Sequence, residues 1–385
     1  MMVRIIFSIL LLGGILYPSH SQVASSIAKF SLLTCAPGDM AQDAWGHSAI
    51  RFYDPVNQID EVYNYGTYDF NKSNFILNFL KGKLDYDLAT GSYSNFLRVY
   101  EYYERSVWEQ DFDLNNEQVK RLYKFLQNNA LPENKTYQYD FFYDNCSTRI
   151  RNMLSDNLSG FEHNGELKTK ITFRQLLDVD LEYRDWTDFG IDLILGATCD
   201  VQANFDQTMF LPNFLSSNLE NATFEKAGGK AKLLPIKNLI LDHEVRGDQR
   251  KKSWPITPIL LFSILAFLEL FILLFRNKLS STFLKVYDYI WVLILSICSI
   301  IMMLMWFATE HVTCEQNWNL LWANPGYIAM LFLYWKSNSK VKYYLLGFII
   351  ACTALSLLGW WVIPQQYHVA FVPIILTMML KLIRF

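Results

Sequence analysis

After Ser253 the chain runs for 132 residues with only 8 Lys/Arg and 4 Asp/Glu, too few charges to wet the surface of a water-soluble fold. The residues up to Ser253 hold 26 Lys/Arg and 33 Asp/Glu, an ordinary density with an acidic balance. Two objects of different chemistry are therefore joined in one polypeptide. Over all 385 residues, 52% are apolar and 18% charged, the latter against roughly 25% in soluble domains. Such a composition excludes a disordered chain, and the acidic first part gives no basis for a nucleic-acid partner.

Five apolar stretches follow Ser253, near Ile256–Phe275, Tyr289–Ala308, Leu321–Trp335, Tyr344–Ile363 and Tyr367–Ile383, which predicts an integral membrane protein with five spans. If the first part is exported, Arg276, Lys278, Lys285, Lys336, Lys340, Lys342, Lys381 and Arg384 all fall on the cytoplasmic side. The outer loops Thr309–Leu320 and Pro364–Gln366 hold no Lys or Arg, so orientation follows the positive-inside rule and the C-terminus is cytoplasmic. Arg246, Arg250, Lys251 and Lys252, outside the first span, read as a patch touching anionic headgroups or as a solvated linker. Glu269 lies inside the first span, where a carboxylate is either functional or bonded to a neighbouring helix. The outer loop with His311, Asn317 and Asn319 is either a reader of lipid headgroups or an ordinary connector.

Arg4 precedes the apolar run Ile5–Tyr17 and the short polar segment Pro18–Ser21, the pattern of an export signal over residues 1–21; an uncleaved anchor is the alternative. Export places residues 22–245 in an oxidising compartment, with the membrane part at 246–385. Of the six cysteines, Cys35, Cys146 and Cys199 belong to the exported part. Cys35 and Cys199 are candidates for a disulfide that leaves Cys146 free; a bridge through Cys146, with Cys35 reactive, is the alternative.

Ala28–Cys35 reads as a strand. Gly46–Tyr53 and Ile59–Gly66, separated by Asp54-Pro55-Val56-Asn57, read as a hairpin. A loop centred near Val56 and Asn57 brings Asn64 and Gly66 close to His47. Asn116–Leu126 reads as an amphipathic helix, Tyr137–Asp144 as an extended aromatic run, and the spacing of Ile150, Met153, Leu154 and Leu158 as a helix opened by Cys146. A thiol in a first helical turn feels the positive end of the macrodipole, which favours the thiolate. With His47 as base and Asn64 orienting its ring, Cys146 becomes a nucleophile, and the first-turn N–H groups become candidates for an oxyanion hole. Burial of both residues in a core is the plainer alternative. No other Cys or His lies at ligand spacing from either, so neither a metal nor a cofactor is expected.

The segments SLLTCAPGDMAQDAWGHSAIRFYD, EVYNYGTYDF and YDFFYDNCSTRIRN resemble signature blocks of a bacterial exported family described as the DUF4105 domain. DFGIDL, over residues 188–193, and the loop NWNLLWANP fit as well. With five spans appended, the layout is similar to the Lnb lipoprotein N-acyltransferases of Bacteroidota. The resemblance implies an α+β architecture: a circularly permuted papain-like (NlpC/P60-type) domain in the periplasm, followed by a five-helix all-α transmembrane domain in the inner membrane. It carries the roles of base and nucleophile to His47 and Cys146. The implied reaction moves an acyl chain from a membrane phospholipid, through a thioester on Cys146, to the N-terminal amine of a diacylated lipoprotein. A membrane-anchored cysteine amidase or peptidase of the same fold is the alternative.

Overall fold

The computed structural model describes residues 23–68, 78, 81–83, 85–163, 165–167, 169–226, 229–233, 236–243, 255–336 and 339–383. The expected export signal, the basic residues Arg246, Arg250, Lys251 and Lys252, and Arg384 lie outside the described residues.

Alternation of apolar side chains sets up the first layer. In β1 (Lys29–Cys35), Phe30 and Leu32 point to one side while Leu33 and Cys35 point to the other, and both sides are buried. β1 pairs with β2 (His47–Asp54), which pairs with β3 (Ile59–Thr67). The hairpin turn is fixed by Asp54, whose Oδ1 accepts from the N–H groups of Val56 and Asn57 at 3.1 and 3.3 Å. Asp54 stands opposite Ile59, so the turn is centred at Val56–Asn57, and the same register carried outward sets Gly66 across from His47. With β4 (Asp85–Ser92), β5 (Val107–Asp111), β6 (Thr136–Gln138) and, after a separate hairpin of β7 (Thr223–Lys226) and β8 (Gly229–Lys232), β9 (Lys237–Leu241), a seven-stranded antiparallel sheet forms in the order β6-β4-β3-β2-β1-β5-β9.

Helix α1 (Tyr93–Tyr102) covers one face through Tyr93, Phe96 and Tyr100, packed on Leu33, Cys35, Ala49 and Val62. The other face carries α2 (Asn116–Asn129) and α3 (Cys146–Asn157), with Leu122, Leu126, Ile150 and Leu154 buried among Phe30, Leu32, Ile50 and Phe52. The aromatic run before α3 is extended only in β6. Asp140 Oδ1 accepts from the N–H groups of Phe142 and Tyr143, at 2.9 Å each, and folds Phe141–Tyr143 into a turn.

The helices α4 (Phe173–Leu181), α5 (Asp185–Ile194), α6 (Phe205–Thr208) and α7 (Pro212–Leu219) complete the first part. Each of the five apolar stretches then contains one helix: α8 (Pro258–Leu274), α9 (Ser281–Phe307), α10 (Gly326–Leu333), α11 (Lys340–Leu358) and α12 (Phe371–Leu382). Among the described residues, only α9 and α11 are long and apolar enough to cross a membrane by themselves. The third stretch yields just 8 helical residues because a 3₁₀ turn over Trp318–Leu321 runs into its start and Asn324-Pro325 must precede the helix. The result is a sheet-rich N-terminal domain of mixed α/β type and a helical C-terminal region.

The two parts are docked. Trp186 donates to the carbonyl of Ile256 at 2.9 Å, and Phe189 packs against Phe262 and Phe371 with ring centres 5.2 and 5.4 Å away. Gly196 donates to the Thr313 carbonyl at 2.9 Å, and a Cβ on Gly196 would lie 1.7 Å from the Glu315 carbonyl oxygen, so only glycine fits this approach.

Candidate thiol site

Cys146 is the first residue of α3. Asn145 caps the helix, its Oδ1 accepting from the N–H groups of Ser147 and Thr148 at 2.9 Å each, while Thr148 Oγ1 accepts from the Asn145 N–H. The cap is itself anchored: Asn145 Nδ2 donates to the carbonyls of Phe141 and Phe210, both at 2.8 Å. The expected oxyanion hole is narrowed here. The Ser147 and Thr148 N–H groups are already held by the cap, so they are not free to receive an oxyanion.

His47 opens β2, and alternation puts it and Asn64 on the α1 side of the sheet, whereas α3 packs on the opposite side. They meet at the strand ends, where two glycines make room. Gly46 has φ +79°, and a Cβ there would stand 2.5 Å from the Cys35 carbonyl oxygen. Gly66 has φ +85° and leaves the Cys146 Cβ 3.8 Å from where its own side chain would begin. The imidazole is oriented by Asn64, whose Oδ1 lies 2.5 Å from Nε2, leaving Nδ1 for the sulfur.

Burial disfavours charge on both partners, yet both shift towards the ion pair. For Cys146, burial raises the pKa, but the neighbouring His47 charge, its hydrogen bond, the Ser48 N–H and the Ser147 hydroxyl bring it below the ordinary thiol value. For His47, burial and the charge of Arg105 oppose protonation, and the Cys146 charge with hydrogen bonds from Cys146 and Asn64 raises it. Both shifts move the pair towards a thiolate facing an imidazolium.

The other thiols of this domain differ. Cys35, buried at the end of β1, is pushed up to about 12 by burial despite a hydrogen bond with Tyr100. Cys199 is likewise pushed up to about 12 by burial, and its sulfur donates to the Thr313 carbonyl at 3.3 Å. The expected Cys35–Cys199 bridge does not form: both are free, one in the core under α1 and the other among Phe142, Phe173 and Phe210. A bridge through Cys146 is absent for the same reason, since Cys146 is free too.

Cys146, His47 and Asn64 border a cavity of about 510 Å³ with aromatic walls that include Trp45, Tyr139 and Phe141. Tyr139 stacks on Tyr86 at 4.4 Å. Two chain segments that contribute to its lining are linked onward to the helical region. Gly38, next to the rim residue Met40, accepts from Arg184, two residues before the Trp186 that holds Ile256. Tyr68 also lines the cavity, and further along the chain Lys81 accepts from the Glu310 N–H at 2.8 Å.

The four residues expected at a headgroup site do not border this cavity. Asn317 donates to the Leu193 and Ile194 carbonyls at 2.9 Å, and Asn319 donates to Asp192 and Leu193 at 2.9 and 3.2 Å. Their amides therefore satisfy the bare carbonyls at the end of α5, and both residues are buried. His311 stands half-buried in the loop against Gly82. Glu269 is fully buried, 2.9 Å from Lys381 Nζ, which also reaches Asp288 at 3.1 Å. Lys381 is thus an internal counter-charge rather than a solvated flank, and an apolar helix holding one carboxylate was the sequence signal for it.

Sequence reasoning also passed over a junction cluster. Arg174 is fully buried and pairs with Asp192 and Asp200, while Asp188 pairs with His368 at 3.3 Å. Oxygens of Asp178, Asp188 and Asp192 lie within 4.8 Å of one another, a set able to hold a cation, but apart from the thiol cavity.

A buried thiolate-favouring pair on a domain clamped to apolar helices defines a membrane-associated protein with a thiol-bearing outer domain. The chain matches the Lnb N-terminal periplasmic domain over residues 19–179 and the Lnb transmembrane domain over residues 249–384. These matches span more than two thirds of the sequence, and the chain belongs to the Lnb family. It is an integral membrane protein with a periplasmic N-terminal domain. No curated protein and no solved structure matches it.

Proposed function

We propose that this protein is a lipoprotein N-acyltransferase of the inner membrane, with Cys146 as nucleophile, His47 as acid and base, and Asn64 holding the ring. The observation that carries this reading is the shifted Cys146–His47 pair bordering an aromatic cavity in a domain docked on the apolar helices. In this reading residues 22–245 form a circularly permuted papain-like domain, the His hairpin preceding the Cys helix. Residues 246–385 cross the membrane five times and end in the cytoplasm.

The Cys146 thiolate attacks the ester carbonyl of a phospholipid. A C–S bond forms, the ester C–O bond breaks, and the departing lysophospholipid alkoxide takes the proton from His47. The α-amine of a diacylated lipoprotein then attacks the thioester; an amide C–N bond forms, the C–S bond breaks, and the amine proton passes to His47 as the thiolate is restored. The Cys146 N–H is the helix donor nearest the developing oxyanion, since Asn145 holds the next two. Aromatic walls disfavour water, which lets the amine win. Donor and acceptor both reside in the membrane, so tethering raises their effective concentration at the thiol.

Intact-mass analysis of the full chain in phospholipid nanodiscs tests this. Cys146 gains one acyl group, and a diacylated lipopeptide with a free amine discharges it and becomes triacylated; Cys146→Ala does neither. Discharge to free fatty acid with the lipopeptide present identifies a hydrolase instead, and absence of the acyl adduct sinks the thioester route.

A further inference from the structure

We infer that Arg105 gives the thiol cavity an anion subsite that takes the phosphodiester of the donor lipid. The inference rests on the acyl-transfer reading for the identity of the lipid, but its structural basis is separate. Arg105 lines the cavity, and its side chain is more than nine-tenths buried. Nε donates to the Ala36 carbonyl at 2.8 Å, Nη1 pairs with Asp43 at 3.1 Å, and the guanidinium lies over the Tyr100 ring at 4.9 Å. Nη2 is shielded from water and meets no acceptor among the described residues. Two arms of a planar fork are thus fixed and the third is left with donors to spare, an unusual condition for a buried guanidinium.

Among the described residues lining the cavity, Arg105 is the one permanent cation. Its carboxylate partner, Asp43, is about a quarter exposed, so solvent weakens that neutralisation. A phosphodiester has one negative charge and two unesterified oxygens, which suits a guanidinium better than a point charge, and in a phospholipid it lies a glycerol backbone away from the ester that Cys146 would attack. A neutral glyceride lacks this handle. Arg105 also opposes protonation of His47, so an anion settling on the guanidinium would relieve that opposition.

Binding to the full-length Cys146→Ala protein, which cannot turn over, provides the test. A short-chain phosphatidylglycerol and the matching diacylglycerol are titrated in detergent. Adding Arg105→Gln is expected to weaken phosphatidylglycerol binding by about tenfold or more, and diacylglycerol binding by less than about twofold. Arg105→Lys, which keeps the charge and loses the fork, is expected to fall between and supplies the same differential if the Gln variant does not fold. Equal losses for both lipids would make Arg105 a strut for residues 36–43 and overturn the subsite, as would no loss for either. Inorganic phosphate that displaces the phospholipid at equal concentration would overturn the lipid assignment in favour of a free anion. If wild-type Cys146 is never acylated while the Arg105-dependent differential persists, the transferase reading fails and the anion subsite stands.

Discussion

Two of the clusters of ionisable side chains among the described residues have opposite character. In the helical region Lys381 sits between Glu269 and Asp288, with the Tyr287 ring 3.7 Å from its Nζ and the Tyr287 hydroxyl donating to Glu269 at 3.1 Å. Charges there answer one another across three helices and hold α8, α9 and α12 in register. In the periplasmic domain Cys146 is buried and His47 half-buried, but they border an open cavity, and each shifts the other towards ionisation. Burial and charge by themselves therefore do not mark chemistry. What separates a reactive pair from a brace is an adjoining space for a substrate and a proton that can move.

Substitutions should break the comparison cleanly. Cys146→Ala is expected to abolish acyl transfer, a loss of about 10⁴-fold or more, while the melting temperature stays near wild type. Lys381→Met should do the reverse: two buried carboxylates lose their cation, at a cost of about 3–5 kcal/mol, read as a lower midpoint in detergent unfolding. Activity per folded molecule should hold; a Lys381 variant that keeps its midpoint and loses turnover would put the membrane cluster into the chemistry. Asn64→Ala leaves thiol and base in place but frees the ring, so a smaller loss of about 10- to 100-fold in kcat is expected, with little change in stability.

Alkylation sharpens the contrast among thiols. With its pKa below the ordinary thiol range, Cys146 should already react with iodoacetamide near neutral pH, its rate falling as pH drops through that lowered value. Cys35 and Cys199, both up at about 12, should remain unmodified at pH 8. His47→Ala removes the main cause of the lowering and should move the Cys146 profile to higher pH; an unmoved profile would mean the imidazole is not the partner.

The smallest effect is expected at the junction. Burial, with the charges of Asp192 and Asp188, pushes Asp178 up to about 7 against Arg174 and Gln366. Burial also raises Asp192 to about 6, where Arg174 and His368 pull down and Asp188 pushes up. A carboxylate raised in the folded state contributes stability that is full below about pH 4 and is lost as pH rises through the folded value, here 6 to 7. Amides of α5 and of residues 364–368 should therefore show more protection from exchange at pH 5 than at pH 8, once intrinsic rates are corrected. Equal protection would show that the docking does not sense these protons.

Much of the candidate site was legible because it depends on local rules. Asp54-Pro55-Val56-Asn57 specified a turn, and the period of two fixed which hairpin residues face each other, so Asn64 and Gly66 were expected beside His47 before any coordinates. The 3.6-residue spacing of Ile150, Met153 and Leu154 located α3 and its first turn. Arg105 was not legible: nothing in its neighbourhood of the sequence says that it bends back to Ala36 and Asp43, far from it along the chain. Asn317 and Asn319 misled for a related reason. Polar residues in an outer loop suggest a ligand, but their partners are carbonyls of a helix more than a hundred residues earlier.

Sequence by itself determined the division into a polar and an apolar part, the hairpin, the helix that starts at Cys146 and the family. Those follow from charge density, from the periods of strand and helix, and from capping, all of which act between near neighbours. Only the tertiary structure decided that His47, whose strand turns it to one face of the sheet, and Cys146, on a helix packed against the other face, meet at the sheet's end across two glycines. It also decided which cysteine is ionisable, because a pKa depends on the charges and solvent that long-range packing places around a group, and no spacing along the chain encodes them.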